Sequence, residues 1–134
     1  MNVIENILKR LDKLEREHER KEAQEHYHPI INLGAYTELT IAAGVITRTQ
    51  SYHTVDTQAD AASDDLDTIN GGKDGDLLII CAANSARTVV AKDATGNLAL
   101  AGDFTMDNGN DTLMLIYDGI STNWLEVSRS DNSA

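Results

Sequence analysis

Basic residues are few in this chain and aromatic residues fewer, and each scarcity argues against a class of function. Eleven Lys and Arg stand against twenty-two Asp and Glu, a formal net charge of −11 over 134 residues. Nucleic acid is gripped by clustered Lys and Arg at its phosphates, so this balance argues against nucleic acid as a partner. The same charge opposes docking on anionic lipid. Aromatics make up 4%, with one Trp and one Phe. A small monomer with so few large side chains has a thin core, and self-association is one way to bury more surface.

Cysteine is nearly absent. Cys81 is the only one and lies within the apolar run LLIICAA, so no disulfide can form inside one chain. A nucleophilic thiol needs a neighbouring base and a polar setting, and this run reads instead as core. No stretch approaches the roughly 20 apolar residues that span a bilayer. The N-terminus lacks the charged-then-apolar layout of a signal peptide. The expected site of synthesis is a cytosol-like compartment.

What is present divides near His26 to Pro29. Residues 1–25 hold no Gly or Pro and are rich in Glu, Lys, Arg and Leu, a helix composition. Ile4, Ile7, Leu11 and Leu14 recur in steps of three, four and three, the a/d spacing of a coiled-coil seam. Continuing that register puts His18 at the next a position and Lys21 at the next d, so the seam turns polar after about two heptads. Charged residues from Glu15 to Arg20 are placed for i,i+4 pairs. An isolated helix of this length is marginal in water, and so narrow a stripe suits a homotypic bundle better than docking on a globular body. Ile at the first a and d positions favours three strands. The expected oligomerisation residues are therefore Ile4, Ile7, Leu11, Leu14 and His18, in an N-terminal segment of residues 1–28.

Pro29 ends that helix, and from residue 29 to 134 the chain reads as a β head. This part carries five basic and fifteen acidic residues, nearly the whole net charge. Strands are expected at Glu38–Ile41, Val45–Val55, Asp76–Ala82, Arg87–Ala91 and Leu98–Leu100. A hairpin is expected from Leu113–Tyr117 and Trp124–Ser128 around an Asp118–Gly119 turn. Asp64–Ile69 reads as a single helical or 3-10 turn. No repeat of 20–50 residues is visible. The fold class is thus mainly β: an N-terminal helix forming a homotrimeric coiled coil, then an all-β sandwich or barrel-like head.

The strings SYHTVDT, ASDDLDTINGG, GDLLII, AANSARTVVAKDATGNLALAGDFTMDN, DTLMLIYDG and NWLEVSRSDN run in order from Ser51 to Asn132. Together they resemble a domain recurrent in tail-fibre and other fibre-like structural proteins of tailed bacteriophages. The resemblance implies a trimeric, non-enzymatic virion protein. Its partners would be other copies of itself, other capsid or tail proteins and, for an adhesin, a host surface glycan or protein. It implies a virion location after synthesis in the host cytoplasm. Because one short helix precedes the matched region, a small spike, head fibre or decoration protein is expected rather than a long tail fibre. The alternative is a receptor-binding adhesin at a tail tip.

Three chemistries can be weighed from the residues. Asp64, Asp65, Asp67, Asp74 and Asp76 invite a calcium reading, but they lack the EF-hand order of ligands and read as turn residues bonded to nearby backbone. Asp93 with Asp103 or Asp107 can be imagined as a glycosidase pair. A sugar cleft would need aromatic platforms, and Trp124 reads as core, so no enzyme and no bound cofactor is expected. His26 and His28 form a His-x-His pair that three chains could turn around an axis to hold one divalent ion. The other reading places both at a helix C-terminus, where imidazoles favour the dipole and the last carbonyls. Elemental analysis of purified protein separates the two: about one ion for every three chains in the first case, none in the second.

Overall fold

A computed structural model describes residues 2–25 and 29–132. The chain divides into two compact units, Met1–Asn32 and Leu33–Ala134. The first holds a single helix, α1, Val3–Glu25. Asn2 caps it: its Oδ1 accepts the Glu5 amide at 2.8 Å and its carbonyl accepts the Asn6 amide at 3.2 Å. Asp12–Arg16 (3.0 Å) and Lys13–Glu17 (4.0 Å) are ion-paired one turn apart along its surface. Both pairs are exposed, so each adds only about 0.3–0.5 kcal/mol. The pairing begins a turn earlier than the charge run suggests, since Asp12 and Lys13 find partners four residues on.

The second unit is built from eleven strands: β1 Thr37–Thr40, β2 Val45–Thr47, β3 Tyr52–Asp56, β4 Ser63–Leu66, β5 Thr68–Asn70, β6 Leu77–Ala82, β7 Thr88–Ala91, β8 Leu98–Ala99, β9 Phe104–Met106, β10 Thr112–Asp118 and β11 Asn123–Ser130. They form a six-stranded sheet in the order β1-β3-β6-β10-β11-β8, a three-stranded sheet β4-β7-β9 and a two-stranded sheet β2-β5. The fold is mainly β, with one N-terminal helix and several sheets.

The pairing is the unexpected part. A sandwich of consecutive hairpins would be antiparallel, yet β1·β3, β3·β6, β2·β5, β4·β7 and β8·β11 are all parallel. The chain therefore winds as a short coil around one core, visiting the large sheet, the three-stranded sheet and the two-stranded sheet in turn. Parallel partners such as Thr37↔His53, Val45↔Thr68, Ser63↔Thr88 and Tyr52↔Ile79 mark successive turns. The turns differ in length, which is why no sequence repeat betrays them. The coil ends in antiparallel strands: β9 on β7, β10 on β6, and the β10–β11 hairpin. Ile46, Val55, Leu66, Ile69, Leu78, Ile80, Val89, Met106, Leu113, Leu115 and Trp124 meet in a single core drawn from all three sheets.

Three local expectations change. Val45–Val55 is two strands, because the buried His53 ring gathers the corner between them. Its Nε2 accepts the Thr49 and Gln50 amides at 3.1 and 3.2 Å, and its Nδ1 lies 3.0 Å from the Thr37 carbonyl. That partner set assigns the proton to Nδ1. The Asp64–Ile69 turn is instead β4 and β5, since the Gly44 carbonyl accepts the Asp67 and Thr68 amides at 2.8 and 3.1 Å and bends the segment between two strands. The hairpin loop is four residues, 119–122, not the two of Asp118–Gly119, and Thr122 supplies its positive φ of 58°.

Asn97 closes the coil. Its side chain pairs with Ile69 as a third strand would: Oδ1 accepts the Ile69 amide at 2.9 Å and Nδ2 donates to the Ile69 carbonyl at 2.8 Å. That carbonyl also accepts the Trp124 indole N–H at 3.0 Å, while the Trp124 amide donates to the Asn97 carbonyl at 2.8 Å. Gly96 must be glycine for this approach, because a Cβ there would strike the Asp67 carbonyl. Asn97→Leu strands the Ile69 amide in the interior and is expected to lower head stability by about 2 kcal/mol in a denaturant titration; a loss under about 0.5 kcal/mol would contradict this role.

Candidate functional site

The residues that stand out in the first unit are apolar and uncovered. Every described side chain of α1, from Val3 to Lys21, is exposed. Ile4, Ile7, Leu11 and Leu14 keep 68%, 50%, 52% and 60% of their surface. Ile7, Leu11 and Leu14 share a shallow groove with the Arg10 stem. His18 follows on the same edge, exposed. His26 and His28, the proposed axial ligands, lie outside the described residues.

Val3 and Leu8 belong to this edge as well, at 72% and 59% exposed. They flank the seam at the g and e positions of the same register, and attention to a and d alone misses them. With them the stripe over the first two turns is four positions wide, enough to touch more than one neighbour. Burying a side chain of this size is worth about 1.5–3 kcal/mol.

In the second unit the acidic candidates are engaged in holding backbone. Asp64 accepts the Gln58 and Asp65 amides at 2.8 and 2.9 Å, and Asp74 accepts the Gly119 amide at 2.9 Å. Asp76 accepts the Lys73 amide at 2.8 Å and is ion-paired with Arg48. Asp93 and Asp103 do come together, but as a clasp: Asp103 accepts the Asp93 amide and Asp93 the Leu100 amide, both at 2.8 Å, while Lys92 holds the other Asp103 oxygen. Asp107 stands in a separate loop, its amide donating to Asp111 at 3.1 Å. Among the described residues no group of three or more His, Cys, Asp or Glu is placed to hold a metal ion.

Two polar groups escaped the sequence reading. Asp111 is fully buried, and its carboxylate accepts the Asp107, Asn108 and Asn132 amides at 3.1, 3.0 and 2.7 Å. Arg87 grips Asp56 with two hydrogen bonds of 2.8 and 2.7 Å and Asp60 with a third of 2.7 Å. Both are structural. The D-x-x-x-D loop signal was visible; its inward direction was not.

Cys81 is buried, and burial pushes its thiol pKa up, against use as a nucleophile. Trp124 is fully buried, with Tyr117 edge-on at 5.1 Å and the Arg48 guanidinium 5.5 Å above its ring. No protein-family model and no curated protein matches this chain.

The Arg129 guanidinium, helped by the Ala101 amide, holds Glu126 below the usual carboxylate range. Lys92 with the Asp93 amide does the same for Asp103, and the Ser121 hydroxyl with the Ile120 amide for Asp118. Carboxyls depressed in the fold contribute stability that is fully present above their unfolded values and lost as pH falls through the folded ones. The thermal midpoint is therefore expected to fall with acid below about pH 4. In Glu126→Gln that fall should be shallower; an unchanged acid limb would contradict the Glu126–Arg129 account.

Proposed function

We propose that the protein is a non-enzymatic structural component of a bacteriophage particle: a small spike, head fibre or decoration protein. In this reading α1 bundles three copies, each of which carries the acidic β unit. The observation that carries it is the exposed edge Ile4–Ile7–Leu11–Leu14. Its 3,4,3 spacing is the pattern that two or more identical helices satisfy in each other, and Val3 and Leu8 widen it toward three. In a parallel, in-register bundle Arg10 at g faces Glu15 at e of the next helix, an attractive pair that sets orientation. The apolar edge ends at Leu14, and His18 and Lys21 follow on it.

The commitment of the Asp93 and Asp103 carboxyls to amides and Lys92 supports a structural role over an acid–base one. The ordered resemblance from Ser51 to Asn132 supports a phage particle. The alternative, a tail-tip adhesin, calls for aromatic platforms at the loop tips. Loops 71–76, 83–87, 107–111 and 119–122 carry none, which favours decoration.

Sedimentation equilibrium of the full chain tests the assembly. The wild type is expected at the mass of three chains and Ile7→Asp/Leu11→Asp at the mass of one, with the near-ultraviolet signal of Trp124 unchanged. A wild type of single-chain mass, or a double variant that keeps the wild-type mass, would overturn the reading. Electron microscopy of antibody-labelled particles tests the location; label on no particle would overturn the virion role.

A further inference from the structure

Two of the three arginines of the β unit are held in the same way. The Arg48 guanidinium is ion-paired with Asp76 and lies 5.5 Å from the centre of the Trp124 ring. The Arg129 guanidinium is paired with Glu126 and lies 4.9 Å from the centre of the Phe104 ring. In each case a carboxylate takes the fork of N–H donors while an aromatic face takes the flat side of the cation.

A third carboxylate and ring stand together at the β1 side of the six-stranded sheet, and no arginine of the β unit fills them. Tyr36, immediately before β1, packs edge to face on Tyr52, with ring centres 5.7 Å apart and planes at 76°. Tyr52 and Thr54 point to one face of β3 by alternation, and Glu38 is the register partner of Thr54. Tyr52 and Glu38 therefore share that face, and the Tyr36 ring meets Tyr52 there. Of the described Phe, Tyr and Trp rings, Tyr36 is the exposed one, at 57%; Glu38 is exposed beside it. Two residues of extended chain span about 7 Å, a gap that one guanidinium bridges when it lies over a ring and pairs with a carboxylate.

The corner is built before any ligand arrives. The Gln50 side-chain amide donates to the Ala35 carbonyl at 2.7 Å and to the Tyr52 carbonyl at 2.8 Å, tying the segment before Tyr36 to the strand that carries Tyr52. The Thr37 carbonyl, next along the chain, lies 3.0 Å from Nδ1 of the buried His53. The Tyr52 hydroxyl is placed beside the Cys81 thiol. An ordered receptor of this kind lowers the entropy cost of binding.

Charge selects the occupant. The β unit has five basic and fifteen acidic residues, so an approaching cation is drawn to it and an anion repelled. Its three arginines, Arg48, Arg87 and Arg129, are already ion-paired with other carboxylates.

We infer that Tyr36, Tyr52 and Glu38 form a receiving site for the arginine side chain of a partner protein, with the guanidinium flat on Tyr36, walled by Tyr52 and paired with Glu38. The site stands on the β unit alone and holds whether or not α1 bundles.

The test is an amide-shift titration of the isotope-labelled full chain by nuclear magnetic resonance. The probes are N-acetyl-arginine methylamide, the matching lysine compound and the matching citrulline compound, a neutral isostere of arginine. The arginine probe is expected to shift the amides of Tyr36, Glu38 and Tyr52 saturably, with a dissociation constant on the order of 10 mM for this single contact. Citrulline should bind about tenfold more weakly and lysine at least about threefold more weakly. Tyr36→Leu and Glu38→Gln, both at exposed positions, should each weaken the arginine probe about threefold or more while the near-ultraviolet signal of Trp124 is unchanged. Arginine and citrulline binding alike would overturn the role of charge, and arginine and lysine binding alike would overturn the choice of guanidinium. Unchanged affinity in Tyr36→Leu, or shifts spread over exposed carboxylates elsewhere with none at Tyr36 and Glu38, would overturn the site.

Discussion

A 23-residue helix with no buried described side chain is the constraint on which the account rests. Nucleation is costly, and a helix of this length is only marginal in water. Asn2 capping adds about 1 kcal/mol and the two exposed ion pairs a few tenths each. These terms sharpen the ends and the register but do not hold a helix on their own. In the proposed reading the remaining source is burial of Val3, Ile4, Ile7, Leu8, Leu11 and Leu14 between copies, all six being exposed in the single chain. In the proposed reading, the work of this edge is to assemble copies of the chain.

The head solves a different problem. Parallel strands need a crossover, and here each crossover is another strand on another face, so a chain short of large side chains still encloses a core. A coil of few turns has open ends. The strands β9, β10 and β11 extend the three- and six-stranded sheets by antiparallel pairing, and Asn97 supplies with its amide the strand that the two-stranded sheet lacks. Arg48 to Asp76 and Arg87 to Asp56 then tie one turn to the next. Asp111 is buried and held by backbone amides instead.

Much of this was legible. The helix and its apolar edge followed from spacing and composition, because helix periodicity is a local property. β6 and the β10–β11 pair were legible for a similar reason: LLIICA and LMLIY are continuous apolar runs of strand length, although one face of each is left partly exposed, at Leu77 and Ile116. The direction of pairing was not. Whether β3 runs with or against β6 depends on partners 27 residues away (Tyr52↔Ile79), and nothing in either strand encodes it. β4, with the sequence SDDL, has almost no apolar signal and is a strand because β7 offers it a ladder. β9 is three residues long, too short for alternation to register. At the site, the apolar edge from Ile4 to Leu14 was readable from its spacing, whereas Val3 and Leu8, exposed beside it, lie off the a and d positions and were missed.

The most direct measurement of the central claim is hydrogen exchange of the α1 amides as a function of protein concentration. If the helix is stable only through its copies, protection across residues 5–20 should rise with concentration while that of the core strands β6 and β10 stays constant. Protection of α1 that is the same at every concentration, down to dilutions where the protein sediments as one chain, would contradict the account.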